Sequence, residues 1–423
     1  MTGTLAPAPE LGSLSRNRGF RLLWLGEGVS VLGNATTTVL LPLLAVVAFD
    51  AGPGWMGALA TAAWLPWLLI GLPAGAWVDR LPARGVMIAA DLVSAAAYAS
   101  IPAAWTLDLL TLPQMVGVAF AGGVASVFFK TAYVVLLPQV VPPEHLEAAN
   151  GRMFGTESAM HIAGPGLGGL LAQWWSAAFG LVLDAASFLV SAVCLWRIRP
   201  DRPAPELAPA APLGARIREG IDFVLRDRYL PWMTVIGGLC NFGLTGLGAL
   251  AVLFLVDDLA LDPSGVGIVM MAGSSGGLLG AVAAAWCSRR LGSGRAFELM
   301  TLGSGFPALL VPLAWPGAGA TLVVAGLFLV GAFAVAGNVV RGAWRQRYVP
   351  APLMGRVVTS IQFVNFGTMP VAGALAGGLG ATIGVRETIA VMALVHVGGC
   401  LLILLSPLRG LRDLPSPADT RAC

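Results

Sequence analysis

Apolar stretches long enough to cross a membrane fill this chain and limit what it can fold into. Twelve of them reach about 20 residues, the length that spans a hydrocarbon core of about 30 Å. Their limits are 21–48, 54–78, 86–105, 111–136, 151–174, 178–197, 230–256, 264–287, 295–314, 319–340, 356–381 and 387–407. Of the 423 residues, 57% are hydrophobic and 11% are charged, against about 25% charged in soluble domains. The sequence therefore predicts an all-α integral membrane protein with 12 transmembrane helices.

Basic residues orient these predicted spans. Lys130 is the only lysine, so the 25 basic residues include 24 arginines, and all of these except Arg386 can be threaded onto one side of the membrane. The loops on the other side carry acidic residues such as Asp50, Asp108 and Asp257. Because short cytoplasmic loops are enriched in arginine and lysine, we expect both termini in the cytoplasm. The composition suggests a bacterial cytoplasmic (plasma) membrane.

Several function classes lack their sequence signatures. The net charge is +3, and no basic patch with interleaved aromatic residues predicts a nucleic-acid partner. The single lysine lacks the glycine frame of a phosphate-binding loop, which excludes ATP hydrolysis. The three histidines are scattered, so we expect no enzyme, no metal site and no cofactor. The five cysteines have no paired spacing and are interpreted as free thiols.

A polar stretch divides the chain almost in half. We expect a cytosolic tail at 1–20 that is not a signal peptide, a six-helix bundle at 21–197, a cytoplasmic linker at 198–229, a second six-helix bundle at 230–407 and a cytosolic tail at 408–423. In the linker, an amphipathic helix is predicted on the membrane surface, with its apolar face formed by Ile217, Ile221, Val224 and Leu225.

The two halves repeat each other. After span 4, Pro142 precedes Gly151-Arg152, and after span 10, Pro350 precedes Gly355-Arg356. Equivalent loops on the same membrane side are typical of a parallel six-plus-six repeat, in which two bundles rock about a central site.

Two motifs carry a resemblance to a known family. The loop GAWVDRLPAR resembles G-x-x-x-D-R-x-G-R-[RK], and GRMFGTESAMHIAGPGLGG resembles the exporter motif G-x8-G-x3-G-P-x2-G-G with Met160 at its middle glycine. The matching residues are Gly75, Asp79, Arg80 and Arg84 in the first motif, and Gly151, Gly164, Pro165, Gly168 and Gly169 in the second. Over nearly its whole length the chain resembles the major facilitator superfamily, in particular its macrolide and siderophore (enterobactin-type) exporters.

The resemblance implies two six-helix bundles related by a pseudo-two-fold axis, a small-molecule substrate and a monomeric transporter in the lipid bilayer. It also implies that spans 2 and 11, and spans 5 and 8, form the contacts between the bundles. Small residues four apart suggest the faces: Gly71 and Gly75 against Gly373 and Gly377, and Gly164 and Gly168 against Gly273 and Gly277. Leucine at Gly277 is expected to lock the cycle.

Ionisable residues within spans are costly and usually functional. The candidates for proton coupling are Glu27, Lys130, Glu157 and Asp184. A buried lysine needs a carboxylate partner, so Lys130 is expected to pair with Glu27 or Glu157 and to leave the other free for a proton. A static Glu27–Lys130 pair and a buttressing role for Asp184 are the alternatives. His396 is interpreted as a packed residue, and Asp91 as a partner of the 79–84 loop.

Neutral polar and aromatic residues complete the predicted substrate cavity. The candidates are Asn34, Phe128, Tyr133, His161, Asn241, Asn338, Gln362 and Asn365. Such a cavity suits bulky amphiphiles better than sugars or inorganic ions. The sequence predicts a secondary active exporter that exchanges protons for a hydrophobic antibiotic, siderophore or other secondary metabolite by alternating access. A facilitator or importer of a small metabolite is the alternative, followed by a membrane sensor that does not transport.

Overall fold

A computed structural model describes residues 14, 16–78, 80–199 and 213–416. Within these residues the secondary structure is helical, and no strand occurs. The helices are α1 Arg18–Phe49, α2 Pro53–Val78, α3 Ala83–Thr106, α4 Leu112–Val140, α5 Leu146–Trp174, α6 Ala177–Arg197, α7 Leu213–Arg226, α8 Leu230–Leu253, α9 Pro263–Ser274, α10 Gly276–Leu291, α11 Ser293–Gly305, α12 Ala320–Tyr348, α13 Ala351–Ile383 and α14 Val385–Leu401.

Ten segments of the described chain are long and apolar enough to cross a membrane. They match ten of the twelve predicted spans, and α9 and α10 together form one of the ten. The other two predictions fall on α5, which carries Glu147, Arg152 and Glu157, and on α11, which has 13 residues and continues as a 3₁₀ turn, Phe306–Leu310. Polar residues in the first helix and the short length of the second keep them below the requirement for a span.

Local sequence explains where the helices begin. Asn17, Thr111, Ser176 and Asp262 each accept a hydrogen bond from a backbone N–H in the first turn of the following helix. These short polar side chains satisfy donors that have no partner inside the helix. Proline stands at the start of α2 and α9, where its missing N–H removes no helical hydrogen bond. The span boundaries are therefore written into the sequence.

We call α1–α6 the N-terminal half and α8–α14 the C-terminal half. In the first, α1 packs on α5 and α6, and α3 packs on α4 and α6. In the second, α8 packs on α13 and α14, and α12 packs on α10 and α11. The most extensive contacts between halves join α2 to α13 and α5 to α9. These are the pairings between spans 2 and 11 and between spans 5 and 8 that the family resemblance implies.

Buried apolar side chains form three clusters whose arrangement distinguishes the two ends of the molecule. One cluster contains residues of both halves and includes Ala51, Leu110, Leu259 and Ala314. We call this end the joined end. At the opposite end each half has its own cluster: Leu14 to Ile198 in the N-terminal half, and Val224 to Leu414 in the C-terminal half. The halves are thus packed together at the joined end and separately cored at this split end, where both ends of the described chain lie.

Of the four glycines that bring the halves together, Gly377 was predicted, whereas Gly57, Gly169 and Gly267 were not. A methyl group at Gly57 would lie 2.5 Å from the Cα of Gly377, and one at Gly169 would lie 2.6 Å from the Cα of Gly267. Separations below 3.0 Å cannot be accommodated without a shift, so both crossings require glycine. The correct helices were paired, but through residues nearer the joined end.

The predicted face of α13 packs on α2, since a methyl group at Gly373 would lie 2.9 Å from the Thr61 nitrogen, but the other predicted faces have other neighbours. Gly75 faces open space, and Gly71 meets only Trp67 of its own helix. Gly164 and Gly168 pack on Ala35 and Thr36 of α1, within the N-terminal half. Gly273 and Gly277 pack on Leu327 and Val335 of α12. The prediction for these faces was wrong because four-residue spacing marks a flat helix face without showing which helix covers it. Leucine at Gly277 would disturb α10–α12 packing rather than the contact between halves.

The predicted amphipathic helix is α7, and it contacts α13. Arg356 forms an ion pair with Glu219, and a methyl group at Gly220 would lie 2.6 Å from the Arg356 carbonyl oxygen. Val224 is buried, whereas Leu225 is exposed. The apolar face is therefore divided between the protein and its surroundings. The side chain of Ile217 and the linker residues 200–212 lie outside the described part of the chain.

Candidate functional site

Three neighbouring cavities follow the midline of the molecule. The largest, which we call the central cavity, has a volume of about 450 Å³ and is lined by α1, α2, α3 and α4 of the N-terminal half and by α8 and α13 of the C-terminal half. Its wall includes Asn34, Trp64, Asn241 and Met369. Apolar and aromatic side chains with a few amides are typical of a site for an amphiphilic small molecule.

An acidic pocket of about 90 Å³ lies in the N-terminal half. It is lined by Glu27 from α1, Asp91 from α3, Lys130 from α4, and Glu157 and His161 from α5. Asn34 and Tyr98 line both this pocket and the central cavity. The acidic pocket and the central cavity therefore share part of their walls, and a change of charge in the pocket takes place next to the cavity.

Lys130 pairs with Glu157, one of the two partners that the sequence left open. Its Nζ lies 3.5 Å from Glu157 Oε1, and His161 Nε2 lies 3.8 Å from the same oxygen. The lysine was expected to be buried, but 58% of its side chain is exposed in the protein alone. The ion pair is therefore partly exposed, and it lines the acidic pocket.

Glu27 keeps one carboxylate oxygen without a partner. Its Oε2 is buried and has no hydrogen bond to any described residue, and the same is true of Asp91 Oδ2. Leaving a buried polar oxygen unsatisfied is costly, and a proton on the carboxyl group lowers that cost. Asp91 was interpreted as a partner of the loop before α3, but it lines the acidic pocket instead. One turn before Glu27, the indole N–H of Trp24 donates to Thr156 over 2.7 Å and joins α1 to α5.

Asp184 is buried away from the acidic pocket. It accepts hydrogen bonds from the hydroxyl groups of Thr37 and Ser187, in a contact between α1 and α6. Gly33 leaves the space for it, since a methyl group there would lie 2.5 Å from Asp184 Oδ1. These contacts fit the buttressing alternative for this residue.

The remaining candidates are dispersed. Asn338 lines a pocket of about 70 Å³ in the C-terminal half together with Asn241. Asn365 is buried on α13 with its Oδ1 unpartnered, near Gly237. Phe128 and Tyr133 pack against the apolar cluster at the split end, and Gln362 is exposed on α13. None of these three lines any of the three cavities.

Sequence reasoning missed Arg341. It was grouped with the arginines at the inner surface, but α12 continues to Tyr348, and Arg341 lines the pocket of the C-terminal half. Its guanidinium donates to Asn338 Oδ1 over 2.7 Å. Continuing the helix for one more turn past residue 340 would have placed Arg341 beside Asn338 on the same face.

Residues of the two sequence motifs make contacts between helices. Arg84 donates from Nε to the Leu195 carbonyl oxygen over 2.9 Å and from Nη2 to that of Trp196, at the end of α6. Cations at a helix C-terminus satisfy its free carbonyl groups. Arg80 is exposed in the turn before α3, and Asp79 lies outside the described residues. In the α5 motif Gly151 faces open space, while Pro165 and Gly169 contact α9 through Gly267.

Comparison with known proteins agrees with this architecture. The multidrug efflux pump Tap of Mycolicibacterium fortuitum is 30% identical over 401 residues, which cover 91% of this chain and 94% of that protein. Macrolide efflux protein A of Streptococcus pyogenes is 24% identical over 266 residues, covering 62% of this chain and 64% of that protein. These relatives are efflux proteins by name.

Solved structures share the fold. The nucleoside transporter NupG superimposes with a TM-score of 0.78 at 11% identity and covers 92% of this chain and 99% of that one. A bacterial homologue of the iron transporter ferroportin, in an inward-facing state, gives 0.70 at 17% identity over 92% and 97% of the two chains. The profile of the Major Facilitator Superfamily matches residues 23–369. The chain is a multi-pass membrane protein and belongs to the Major Facilitator Superfamily.

Proposed function

We propose that this transporter exports a bulky amphiphilic compound in exchange for protons, with Glu27 as the proton-binding carboxylate. The observation that carries the proposal is the unpartnered oxygen of Glu27 in a pocket that shares Asn34 and Tyr98 with the central cavity. Protonation of Glu27 and occupation of the cavity act on the same two side chains. This shared wall gives each event a route to influence the other.

The Lys130–Glu157 pair supports the assignment to Glu27. Glu157 Oε1 already has two close partners, Lys130 Nζ at 3.5 Å and His161 Nε2 at 3.8 Å. Glu27 faces the same cluster but keeps an oxygen free. We assign a supporting role to the Lys130–Glu157 pair: it limits the net charge of the pocket as Glu27 gains and loses its proton.

The size and lining of the central cavity support an amphiphilic substrate. A volume of about 450 Å³ exceeds what an inorganic ion needs. Trp64 lines the cavity and contacts Phe366 with ring centroids 5.8 Å apart. Aromatic rings bury large apolar areas at low conformational cost. Relatives named for macrolide and multidrug efflux fit the same substrate class.

The proposed topology has twelve crossings, both termini in the cytoplasm and the split end facing inward, in a bacterial plasma membrane. We assign residues 21–197 and 230–407 to two six-helix bundles related by a pseudo-two-fold axis, residues 198–229 to a cytoplasmic linker, and 1–20 and 408–423 to cytosolic tails. The transporter works as a monomer. Separate apolar clusters at the split end and the Gly57–Gly377 and Gly169–Gly267 crossings at the joined end support an inward-open arrangement.

Proton flux in inverted membrane vesicles tests the proposal. Energised vesicles receive lipophilic cations, macrolides and siderophores while an acid-quenched dye reports the internal pH. We expect substrate-dependent proton efflux that Glu27→Gln abolishes and Glu147→Gln, an exposed carboxylate at the start of α5, leaves unchanged. One proton moving through 100 mV supplies about 2.3 kcal/mol, enough for roughly 50-fold accumulation.

Two results would contradict the proposal. Substrate movement by radiolabel without any proton flux would identify a facilitator. Proton flux that persists in Glu27→Gln would remove Glu27 from the coupling step while leaving antiport intact.

A further inference from the structure

Helices α8 and α14 bring three potential metal ligands together. The Sγ atoms of Cys240 on α8 and Cys400 on α14 are 3.5 Å apart, and Cys400 Sγ lies 3.8 Å from His396 Nε2. One ligand atom from each of the three residues lies within 4.8 Å of the other two. The cysteines are 160 residues apart in the chain, so their spacing predicted separate free thiols. His396 was interpreted as a packed side chain and takes no part in the proposed proton pathway.

The separations suit a metal ion. With metal–sulfur bonds of about 2.3 Å and metal–nitrogen bonds of about 2.0 Å in a tetrahedral arrangement, ligand atoms lie about 3.5–3.8 Å apart. The thiol pair and the Cys400–His396 pair are already within a few tenths of an ångström of these values. Little rearrangement of the helices is needed to close the three ligands around one ion.

The surroundings of His396 can orient its ring. Nδ1 lies 3.3 Å from the Cys240 carbonyl oxygen, and Nε2 lies 3.1 Å from that of Ser304. Either nitrogen of a neutral ring can donate to its carbonyl. When Nδ1 donates to Cys240, Nε2 keeps its lone pair for a metal ion and lies 3.8 Å from Cys400 Sγ. A backbone carbonyl that fixes the second ring nitrogen is the usual support of a metal-binding histidine.

The charge of the pocket selects among metal ions. The cavity of about 70 Å³ beside the three ligands is lined by Arg341, and no carboxylate of the described residues lines it. The guanidinium of Arg341 lies against Gly237, where a methyl group would be 2.6 Å from Nη1. Gly237 is one turn before Cys240 on α8. Two thiolates, one guanidinium and a monovalent ion sum to zero, whereas a divalent ion leaves one positive charge. Uncompensated charge is costly in a buried site.

We propose that Cys240, His396 and Cys400 form a binding site for a monovalent thiophilic cation of the Cu(I) and Ag(I) class. Thiolate ligands favour Cu(I) among biological metals. Asn241 and Leu244 line both this pocket and the central cavity, so an ion bound here lies next to the transport pathway. The site is independent of Glu27 and goes beyond proton-coupled export.

Silver binding to the full-length protein in detergent tests the site, because Ag(I) does not change oxidation state. The background carries Cys194→Ser, Cys287→Ser and Cys423→Ser, which removes the thiols outside the cluster. Equilibrium dialysis with elemental analysis should give one silver per chain. Loss of a residue that only supports a metal ligand typically lowers metal affinity by about 10–100-fold. We therefore expect His396→Gln, which removes a ligand, to lower the affinity at least about 10-fold, and Cys240→Ser or Cys400→Ser to lower it further. Restoring Cys194 in the Cys240→Ser variant should not restore binding.

Further variants separate ligation from folding. Cys400→Met keeps a soft sulfur atom and should retain more affinity than Cys400→Ser, with the same elution volume and helical content for both. Arg341→Gln should shift the preference from Ag(I) towards Zn²⁺. The proposal is overturned if silver binding is absent, if it is unaffected by His396→Gln, or if the protein prefers Zn²⁺ while Arg341 is present.

Discussion

The N-terminal and C-terminal halves are alike where they cross and unlike where they enclose a pocket. The Gly57–Gly377 and Gly169–Gly267 crossings place backbones at nearly the same separations. In contrast, Lys130 and Asn338 are both the nineteenth residue of a 29-residue helix, yet one faces carboxylates and the other faces Arg341. The two crossings between the halves therefore resemble each other, whereas the side chains that line the two pockets differ.

Because the two pockets carry different side chains, each can serve a different task. Asn34 lines both the acidic pocket and the central cavity. Asn241 lines both the central cavity and the pocket of the C-terminal half. In the proposed mechanism a proton therefore acts on the central cavity from the N-terminal half, and no carboxylate of the described residues lines the pocket of the C-terminal half. The predictions that follow test equal effects at the crossings and unequal effects in the pockets.

The largest effect is expected at the crossings. Gly57→Leu and Gly169→Leu should both abolish transport, because the added side chains cannot fit against Gly377 and Gly267 in the joined end. Overpacking costs about 1–3 kcal/mol, which lowers the population of the closed joined end by roughly 5–150-fold. Accessibility of cysteines introduced near residue 53 measures this population.

Gly75→Leu and Gly151→Leu are matched controls, since both glycines face open space. If only one crossing variant loses transport, the two contacts are not equivalent and the moving parts are not related by the repeat.

Asp184 should affect stability rather than coupling. Asp184 and Met392 are each the eighth residue of their helix, α6 and α14, and both are buried. Asp184→Asn keeps an acceptor for Thr37 or Ser187 but not the charge, and losing a buried hydrogen bond to a charged group costs about 1–3 kcal/mol. We expect a lower melting temperature in detergent and normal proton flux. Reduced flux at an unchanged melting temperature would instead place Asp184 in the coupling step.

Lys130 should show the opposite pattern. Lys130→Asn makes the acidic pocket resemble its counterpart around Asn338. Because the Lys130–Glu157 pair is partly exposed, its loss changes the free energy by at most about 1 kcal/mol. We expect a fall in proton flux of up to roughly fivefold with no measurable change in melting temperature. Asn338→Asp, beside Arg341, is the control and should leave proton flux unaltered; equal losses in both variants would mean that the pockets share the coupling.

The sequence was sufficient for the helices and insufficient for their neighbours. Apolar length predicted most spans because a hydrocarbon core requires about 20 apolar residues whatever the fold. The repeat and the motifs led to the correct pairing of α2 with α13 and of α5 with α9. Spacing alone could not show that Gly377 meets Gly57 rather than Gly71, because periodicity defines a face and not its partner.

The pockets depended on contacts across the whole chain. Lys130 and Glu157 are 27 residues apart; the requirement for a counter-charge predicted that Lys130 pairs with Glu27 or Glu157 but did not choose between them. Cys240 and Cys400 are 160 residues apart and neutral as thiols, so no electrostatic requirement linked them. Arg341 was misplaced because the apolar run ends at Val340 while α12 continues to Tyr348.

The smallest effect is expected at α7, which has no counterpart before α1 among the residues that the structure describes. Helix α7 precedes the C-terminal half and is held to α13 by the Arg356–Glu219 pair, whose side chains are 33% and 49% exposed. Pairs at that exposure contribute at most about 1 kcal/mol. Glu219→Gln should therefore cause no large change in the melting temperature. Its transport rate should stay within a factor of about two of the parent's. Gly220→Leu, which would place a side chain against the Arg356 carbonyl group, should detach α7 and increase proteolysis between residues 200 and 226. If Glu219→Gln alone stops transport, the ion pair is part of the cycle and the two halves differ in their moving parts as well as in their pockets.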